Sequence, residues 1–222
     1  MRTSVVAIDG PSASGKSTVA KRVATALGYF YVDSGAVYRA ITWKALQNSI
    51  VADAVKCGKL AREMNIECFV RDGAVRFRID GVELSAELRS AVVNENVSVV
   101  SAVPAVRAEV VACLRDMLKF GNLVMEGRDI GTVVFPDAVF KFYLDADPNE
   151  RARRRSAELA RVEAGVELSA IHDSLKRRDT IDRSRKSDPL KIAPGAIVLD
   201  TTAMSIEAVV QEISCRITSA KA

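Results

Sequence analysis

The sequence is short of several residue types, and each shortage closes off a class of function. It has one histidine, His172, and its four cysteines (Cys57, Cys68, Cys113, Cys215) lie far apart with no C-x-x-C pair. Zinc sites draw on closely spaced Cys and His, so no metal cluster is expected. The apolar run in MRTSVVAIDG stops at an aspartate, too soon for a signal peptide, and no run approaches the ~18 apolar residues of a membrane span. The expectation is a cytoplasmic protein with reduced thiols and no membrane contact. Aromatics make up 5% of the chain, which leaves few platforms for stacking on nucleic acid. No internal repeat, low-complexity tract or proline-rich linker divides the sequence. Nor does it show an exposed apolar seam to pair with a second copy, so a monomer is expected.

What is present suits one α/β unit. The chain has 222 residues, 49% hydrophobic and 27% charged, which is ordinary for a folded domain of this size. Five short, nearly continuous apolar runs read as buried parallel strands: Ser4–Ile8, Tyr29–Val32, Leu123–Glu126, Ala138–Leu144 and Ala196–Asp200. Helical spacing follows the first, with Val19, Ala20, Val23, Ala24 and Leu27 on one face and Gly28 where a C-terminal cap belongs. Asp147-Pro148 signals a capped helix start, and Ser205 caps a last helix with Ile206, Val209, Val210, Ile213 and Ile217 as its apolar stripe. Residues 65–84 differ. They alternate apolar and polar around Asp72-Gly73 and reach Asp80-Gly81, the pattern of an antiparallel hairpin inserted into the core.

Gly10 to Ser17 fits G-x-x-x-x-G-K-[ST]. A strand before it and a helix after it provide the setting this phosphate-binding loop requires. Backbone N–H groups of residues Gly10, Pro11, Ser12, Ala13, Ser14, Gly15, Lys16, Ser17 and Thr18, proline excepted, would face the phosphates of ATP. Lys16 would reach the β- and γ-phosphates, and the Ser17 hydroxyl would bind Mg²⁺. The loop alone does not separate a switch, a motor and a small-molecule kinase. No Asn-Lys-x-Asp guanine reader is present, and the chain is short for a motor.

The net charge of +4 is uneven: residues 151–186 carry eleven Lys/Arg against six Asp/Glu, leaving −1 for the rest. A basic run can hold nucleic acid, but here acids interrupt it and aromatics are scarce, so a solvated face or a polyphosphate lid reads better. Three clusters stand out from ordinary surface. DSGAVYRA places Ser34 and Arg39 after the second strand, MEGRDIGTVVFPDA places Glu126, Arg128 and Asp129 after the third, and RRDTIDRSR alternates arginines with Asp179 and Asp182. The carboxyl ends of strands are where open α/β sheets bind ligands.

IDGPSASGKST, DSGAVYRA, EGRDIGTVVFPDA, RRDTIDRSRKSDPLKIA and VLDTTAMS, in that order, resemble the bacterial cytidylate kinase family. The resemblance runs from Val6 to the last helix. Its first motif is shared by many nucleotide-binding proteins, and the third and fourth are far more specific. It implies transfer of the γ-phosphate of ATP to CMP or dCMP. The implied fold is that of the P-loop nucleoside-monophosphate kinases, with a five-stranded parallel sheet, a small antiparallel β insertion in the acceptor-binding domain, and an Arg-rich helical lid. On this chain that gives a core over residues 1–33, 105–150 and 187–222, an acceptor-binding domain over 34–104 and a lid over 151–186. A kinase for another small acceptor is the neighbouring alternative.

The resemblance also implies residue roles. Arg39 and Arg128 would hold the acceptor phosphate beside Ser34. Ser98 (or Ser101, three residues on), Arg107 and Asp129 would read cytosine, and Arg178, Asp182 and Arg185 would reach the sugar and phosphates from the lid side. Lys16, Arg128, Asp129 and Arg154 are the expected catalytic group. Arg151, Arg153 and Arg155 are further candidates, because neighbours on a helix point different ways. A carboxylate suits cytosine, which offers an N4 amino donor where uracil offers the O4 acceptor. Two departures from the family pattern are Ala13, where a third glycine is common, and Gly195, where an acid often precedes the last strand.

Overall fold

The structure, a computed structural model, describes residues 3–160 and 167–220. Its core is a sheet in which one inner strand, β1 (Val5–Asp9), is buried at every position. Val5 and Ala7 face one layer while Val6 and Ile8 face the other, the two-residue alternation of a strand covered on both sides.

The chain continues through α1 (Lys16–Leu27), β2 (Phe30–Asp33), α2 (Ser34–Gln47), α3 (Ala54–Glu63), β3 (Ile66–Arg71) and β4 (Ala74–Ile79). Then come α4 (Ala91–Ser101), α5 (Pro104–Asp116), β5 (Leu123–Gly127), β6 (Phe140–Asp145), α6 (Pro148–Leu159), α7 (Leu168–Ser184), β7 (Ile197–Asp200) and α8 (Ile206–Ser219). The strand order is β3-β4-β2-β5-β1-β6-β7. The five strands read from apolar runs form the parallel array β2-β5-β1-β6-β7.

The hairpin at 65–84 is antiparallel, and its turn residues Asp72 and Gly73 both have positive φ (51° and 69°), as a tight hairpin turn demands. It does not stand apart as a small sheet. Tyr31 pairs in parallel with Ala74, and the Tyr31 amide donates to Gly73 O at 3.0 Å, so the hairpin extends the main sheet to seven strands. An unpaired β2 edge would leave backbone donors and acceptors without partners, and β4 supplies them.

Helices cover both faces. α2, α4 and α5 bury Val37, Ile41, Val97, Val110 and Leu114 on one side, and α1 and α8 bury Val19, Val23, Ile213 and Ile217 on the other. Fully burying one such side chain is worth about 1.5–3 kcal/mol. The caps read from sequence form. Gly28 is left-handed (φ 65°), Asp147 accepts from the Asn149 and Glu150 amides, and Ser205 Oγ accepts from Ala208 N at 3.1 Å. The expected lid range, 151–186, includes residues 161–166, which lie outside the described residues. On either side of them α6 and α7 pack together through Ala152, Ile171 and Leu175. Among the described residues no single helix is long and apolar enough to cross a membrane.

Candidate active site

A cavity of about 670 Å³ opens where β1, β2 and β5 end, within the size range of small-ligand sites. One wall is the glycine loop. At Gly10 a β-carbon would stand 2.1 Å from Leu144 O, so the loop can leave β1 only through glycine. Ala13 adopts φ 61°, the left-handed conformation that explains why glycine is common there. Gly15 (φ 92°) precedes α1 without a side-chain cap, which leaves the first amides of α1 free for an anion.

Lys16 is 4% exposed and folds over its own loop, donating to Pro11 O at 2.5 Å and Ser14 Oγ at 3.3 Å. Burial, and then the Arg128 guanidinium, pull its pKa down to about 7. Phosphate oxygens would relieve both effects. Behind it, Asp9 accepts from the amides of Ile130 and Gly131, each at 2.8 Å, and burial pushes its carboxyl up to about 7 despite those bonds. Asp9 thereby ties the end of β1 to the chain leaving β5, where Ile130–Val134 forms one π-helical turn.

Ser17 Oγ donates to Glu126 Oε1 at 2.5 Å, and Tyr31 OH donates to the same oxygen at 3.1 Å. A hydroxyl beside a carboxylate is a pair of hard oxygen donors. Among the described residues no group of three or more His, Cys, Asp or Glu forms a metal cage. Mg²⁺ in nucleotide sites takes few protein ligands and keeps waters and phosphates, so the residues present fit it.

The opposite wall is cationic. Asp33 caps α2 through the Ala36 amide, and its second oxygen takes Arg39 Nη2 at 2.6 Å, aiming that guanidinium. Ser34 Oγ donates to Glu126 O at 2.7 Å, and a β-carbon at Gly127 would lie 2.6 Å from Ser34 Oγ, so the approach depends on glycine. Arg128 Nε donates to Asp182 Oδ2 at 2.9 Å. Burial raises Asp182, but Arg128 and Arg185 outweigh it and hold the carboxyl below its ordinary value. Arg178 is pushed down to about 10, first by burial and then by Arg128. Arg39 Nε, Arg178 Nε and Arg185 Nη2 are buried without a hydrogen-bond partner. Buried orphan donors on crowded cations are costly unless an anion completes them.

Most of the expected residues meet at this cavity. Its wall includes Ser12, Ala13, Gly15, Lys16, Ser17, Thr18, Ser34, Arg39, Ser98, Ser101, Arg128, Asp129, Arg154, Arg178, Asp182 and Arg185. Gly10, Pro11, Ser14 and Arg107 are not on it. Arg107 is 2% exposed and sits behind Asp129, to which its Nη2 donates, while its Nε donates to Asp188 Oδ2 at 2.6 Å.

The lid candidates divide. Arg154 and Arg155 line the cavity, with Arg154 anchored to Thr201 O at 2.6 Å. Arg151 does not reach the cavity. It is buried and donates to Ser12 O (3.1 Å), Asp179 Oδ2 (2.6 Å) and Ala146 O (3.1 Å), joining α6, α7 and the glycine loop. Arg153 points outward to Glu150. His172 is not on the cavity wall and is partly exposed.

Sequence reasoning missed Asp9, Asp33 and Asp188 as organisers of the site and left Glu126 without a role. Three of these had a local signal: Asp9 directly precedes the glycine loop, Asp33 is a helix cap, and Glu126 ends an apolar strand. Asp188 had none, since its partner is 81 residues away.

Residues 6–219 match the family model described as cytidylate kinase. The cytidylate kinase of Caldanaerobacter subterraneus subsp. tengcongensis is 46% identical over 209 residues, covering 94% of this chain and 92% of that protein. The one from Symbiobacterium thermophilum is 44% identical over 214 residues, covering 96% and 95%. Among solved structures, an uncharacterized protein from Eubacterium ventriosum aligns over 98% of this chain and 99% of its own, with a TM-score of 0.52 at 13% identity, a likeness of fold alone.

Proposed function

Since the chain belongs to the cytidylate kinase family and its activity is the phosphorylation of CMP and dCMP, we propose that the cavity at the strand ends is where the phosphoryl group passes from donor to acceptor. ATP, the donor a nucleotide kinase implies, lies along residues 10–18, and the acceptor phosphate lies among Arg39, Arg128, Arg178 and Arg185. The observation that carries this reading is that Arg39, Arg178 and Arg185, which line the same cavity as Lys16, each hold a buried guanidinium nitrogen without a hydrogen-bond partner.

An acceptor phosphate oxygen attacks the γ-phosphorus, and the bond from that phosphorus to the β–γ bridging oxygen breaks, leaving ADP. The attacking oxygen is already an anion, so no strong base is required and positioning carries most of the rate. Lys16 turns from Pro11 O to the phosphates, and Arg128 and Arg154 offset charge on the transferring group. Ser17, with Glu126 beside it, would hold Mg²⁺, which neutralises charge on the phosphate oxygens when bound. Asp129, with Arg107 behind it and Ser98 nearby, accepts from the cytosine amino group.

Residues 34–104 serve as the acceptor-binding unit and 151–186 as a lid that excludes water, with the chain acting as a monomer in the cytoplasm and binding no nucleic acid. The direct test measures ADP release with CMP, dCMP, UMP, AMP and GMP as acceptors. CMP and dCMP should be fastest, and a preference for AMP would overturn the cytosine-reading assignment.

A further inference from the structure

Two of the four thiols, far apart in sequence, meet in space. Cys68 on β3 and Cys113 on α5 are 45 residues apart, yet their Sγ atoms lie 3.8 Å from each other in a thiol–thiol hydrogen bond. The other two are elsewhere: Cys57 is buried against Ile50 O and Cys215 is exposed on α8. The pair has no part in the chemistry above.

Cys68 and Cys113 both line a second cavity of about 410 Å³ that shares no lining residue with the first. Met64, Asp116 and Lys119 are among its other walls, so a small polar molecule can reach the sulfurs. The hydrogen bond shared with Cys113 holds the Cys68 thiol below its ordinary pKa against the effect of burial, and the Lys119 ammonium acts in the same direction. The same bond pushes Cys113 up. One sulfur is thus set to be the thiolate that attacks and the other to follow. β3 is the outermost strand of the sheet, so closing the gap to the ~2.05 Å of a disulfide moves an edge and leaves the central strands in place.

We propose that Cys68 and Cys113 form a reactive dithiol site for low-molecular-weight disulfides of the glutathione type. The Cys68 thiolate attacks one sulfur of the disulfide, forming a mixed disulfide and releasing one thiolate. Cys113, after losing its proton to solvent, attacks Cys68 Sγ and releases the second thiolate. The protein loses two electrons and two protons, and the small disulfide leaves as two thiols. The product ties β3 to α5, the helix that carries Arg107.

The test treats the full chain with oxidised glutathione at mildly alkaline pH, blocks remaining thiols with N-ethylmaleimide under denaturing conditions, and maps the unreduced peptides. A peptide joining Cys68 to Cys113, lost on adding dithiothreitol, is expected, and Cys113→Ser should instead retain glutathione on Cys68. Closing a loop of this length should also raise the Tm of the oxidised protein by several degrees. Cys68 and Cys113 both recovered alkylated in the wild type, with glutathione on Cys215 alone or on no cysteine, would overturn the proposal. The wild-type map decides the matter even if a variant fails to fold.

Discussion

Arg107 is held between two carboxylates, Asp129 through Nη2 and Asp188 through Nε at 2.6 Å, with its guanidinium 5.6 Å from the centre of the Tyr38 ring. Asp188 itself has φ 49°, a conformation aspartate tolerates better than most residues, and its carbonyl accepts from Arg185 Nε at 2.7 Å. One loop residue therefore positions two arginines of the acceptor side. Asp188→Ala should raise the KM for CMP roughly tenfold, the worth of one charge-assisted hydrogen bond, with the KM for ATP little changed. Steady-state kinetics with each substrate varied in turn would check this, and equal shifts in both KM values would contradict it.

Asp129 is buried, and burial raises its carboxyl pKa although Arg107 and Arg185 pull the other way. The paired arginines keep an acceptor at the cavity wall where the amino group of cytosine would donate. Asp129→Ala should lower the preference for CMP over UMP by about ten- to a hundredfold, read as the ratio of kcat/KM values. An unchanged ratio would remove the residue from base reading.

The lowered pKa of Lys16 makes a prediction about protons. Near pH 7 the free protein holds roughly half a proton at this amine, and phosphate oxygens favour the ammonium. ATP binding should therefore take up a proton at Lys16 and weaken as pH rises from 7 towards 9. In the free protein the sign is opposite: between about 7 and 10.5 the unfolded chain binds the extra proton, so stability rises with pH across that window. Calorimetry in buffers of different ionisation enthalpy should show the uptake reduced in Lys16→Met. Lys16→Ala should lose most turnover while binding CMP almost normally.

Arg151 and Arg153 are two residues apart on α6 and should behave in opposite ways. Arg151→Ala leaves Asp179 buried without its partner, a loss of about 3–5 kcal/mol in comparable sites, and frees Ser12 O in the glycine loop. Arg153→Ala removes an exposed ion pair and should leave denaturant midpoints where they were. Chemical denaturation of the two variants checks both. Equal midpoints would show that the Arg151–Asp179 tie does not hold α6 and α7 to the loop.

Local chemistry made much of this protein legible before folding was considered. Continuous apolar runs mark the five parallel strands because helices cover both faces of the sheet. Asp147, Ser205 and Gly28 mark helix ends because a helix terminus leaves amides and carbonyls that neighbouring residues must satisfy. Gly10 to Ser17 announces a phosphate cradle because its glycines, its lysine and the helix that starts beside them are all consecutive in the chain. Tertiary structure decided what depends on direction and on distant partners. Four arginines on one helix share a composition, but the 100° between neighbours sends Arg151 into the fold, Arg153 to solvent, and Arg154 and Arg155 to the cavity. Asp188 meets Arg107, Asp9 meets the turn after β5, and Cys68 meets Cys113 only when segments far apart in sequence become neighbours. The hairpin was readable as a hairpin, but its attachment to β2 was not, because a strand's sequence does not name the edge it will extend.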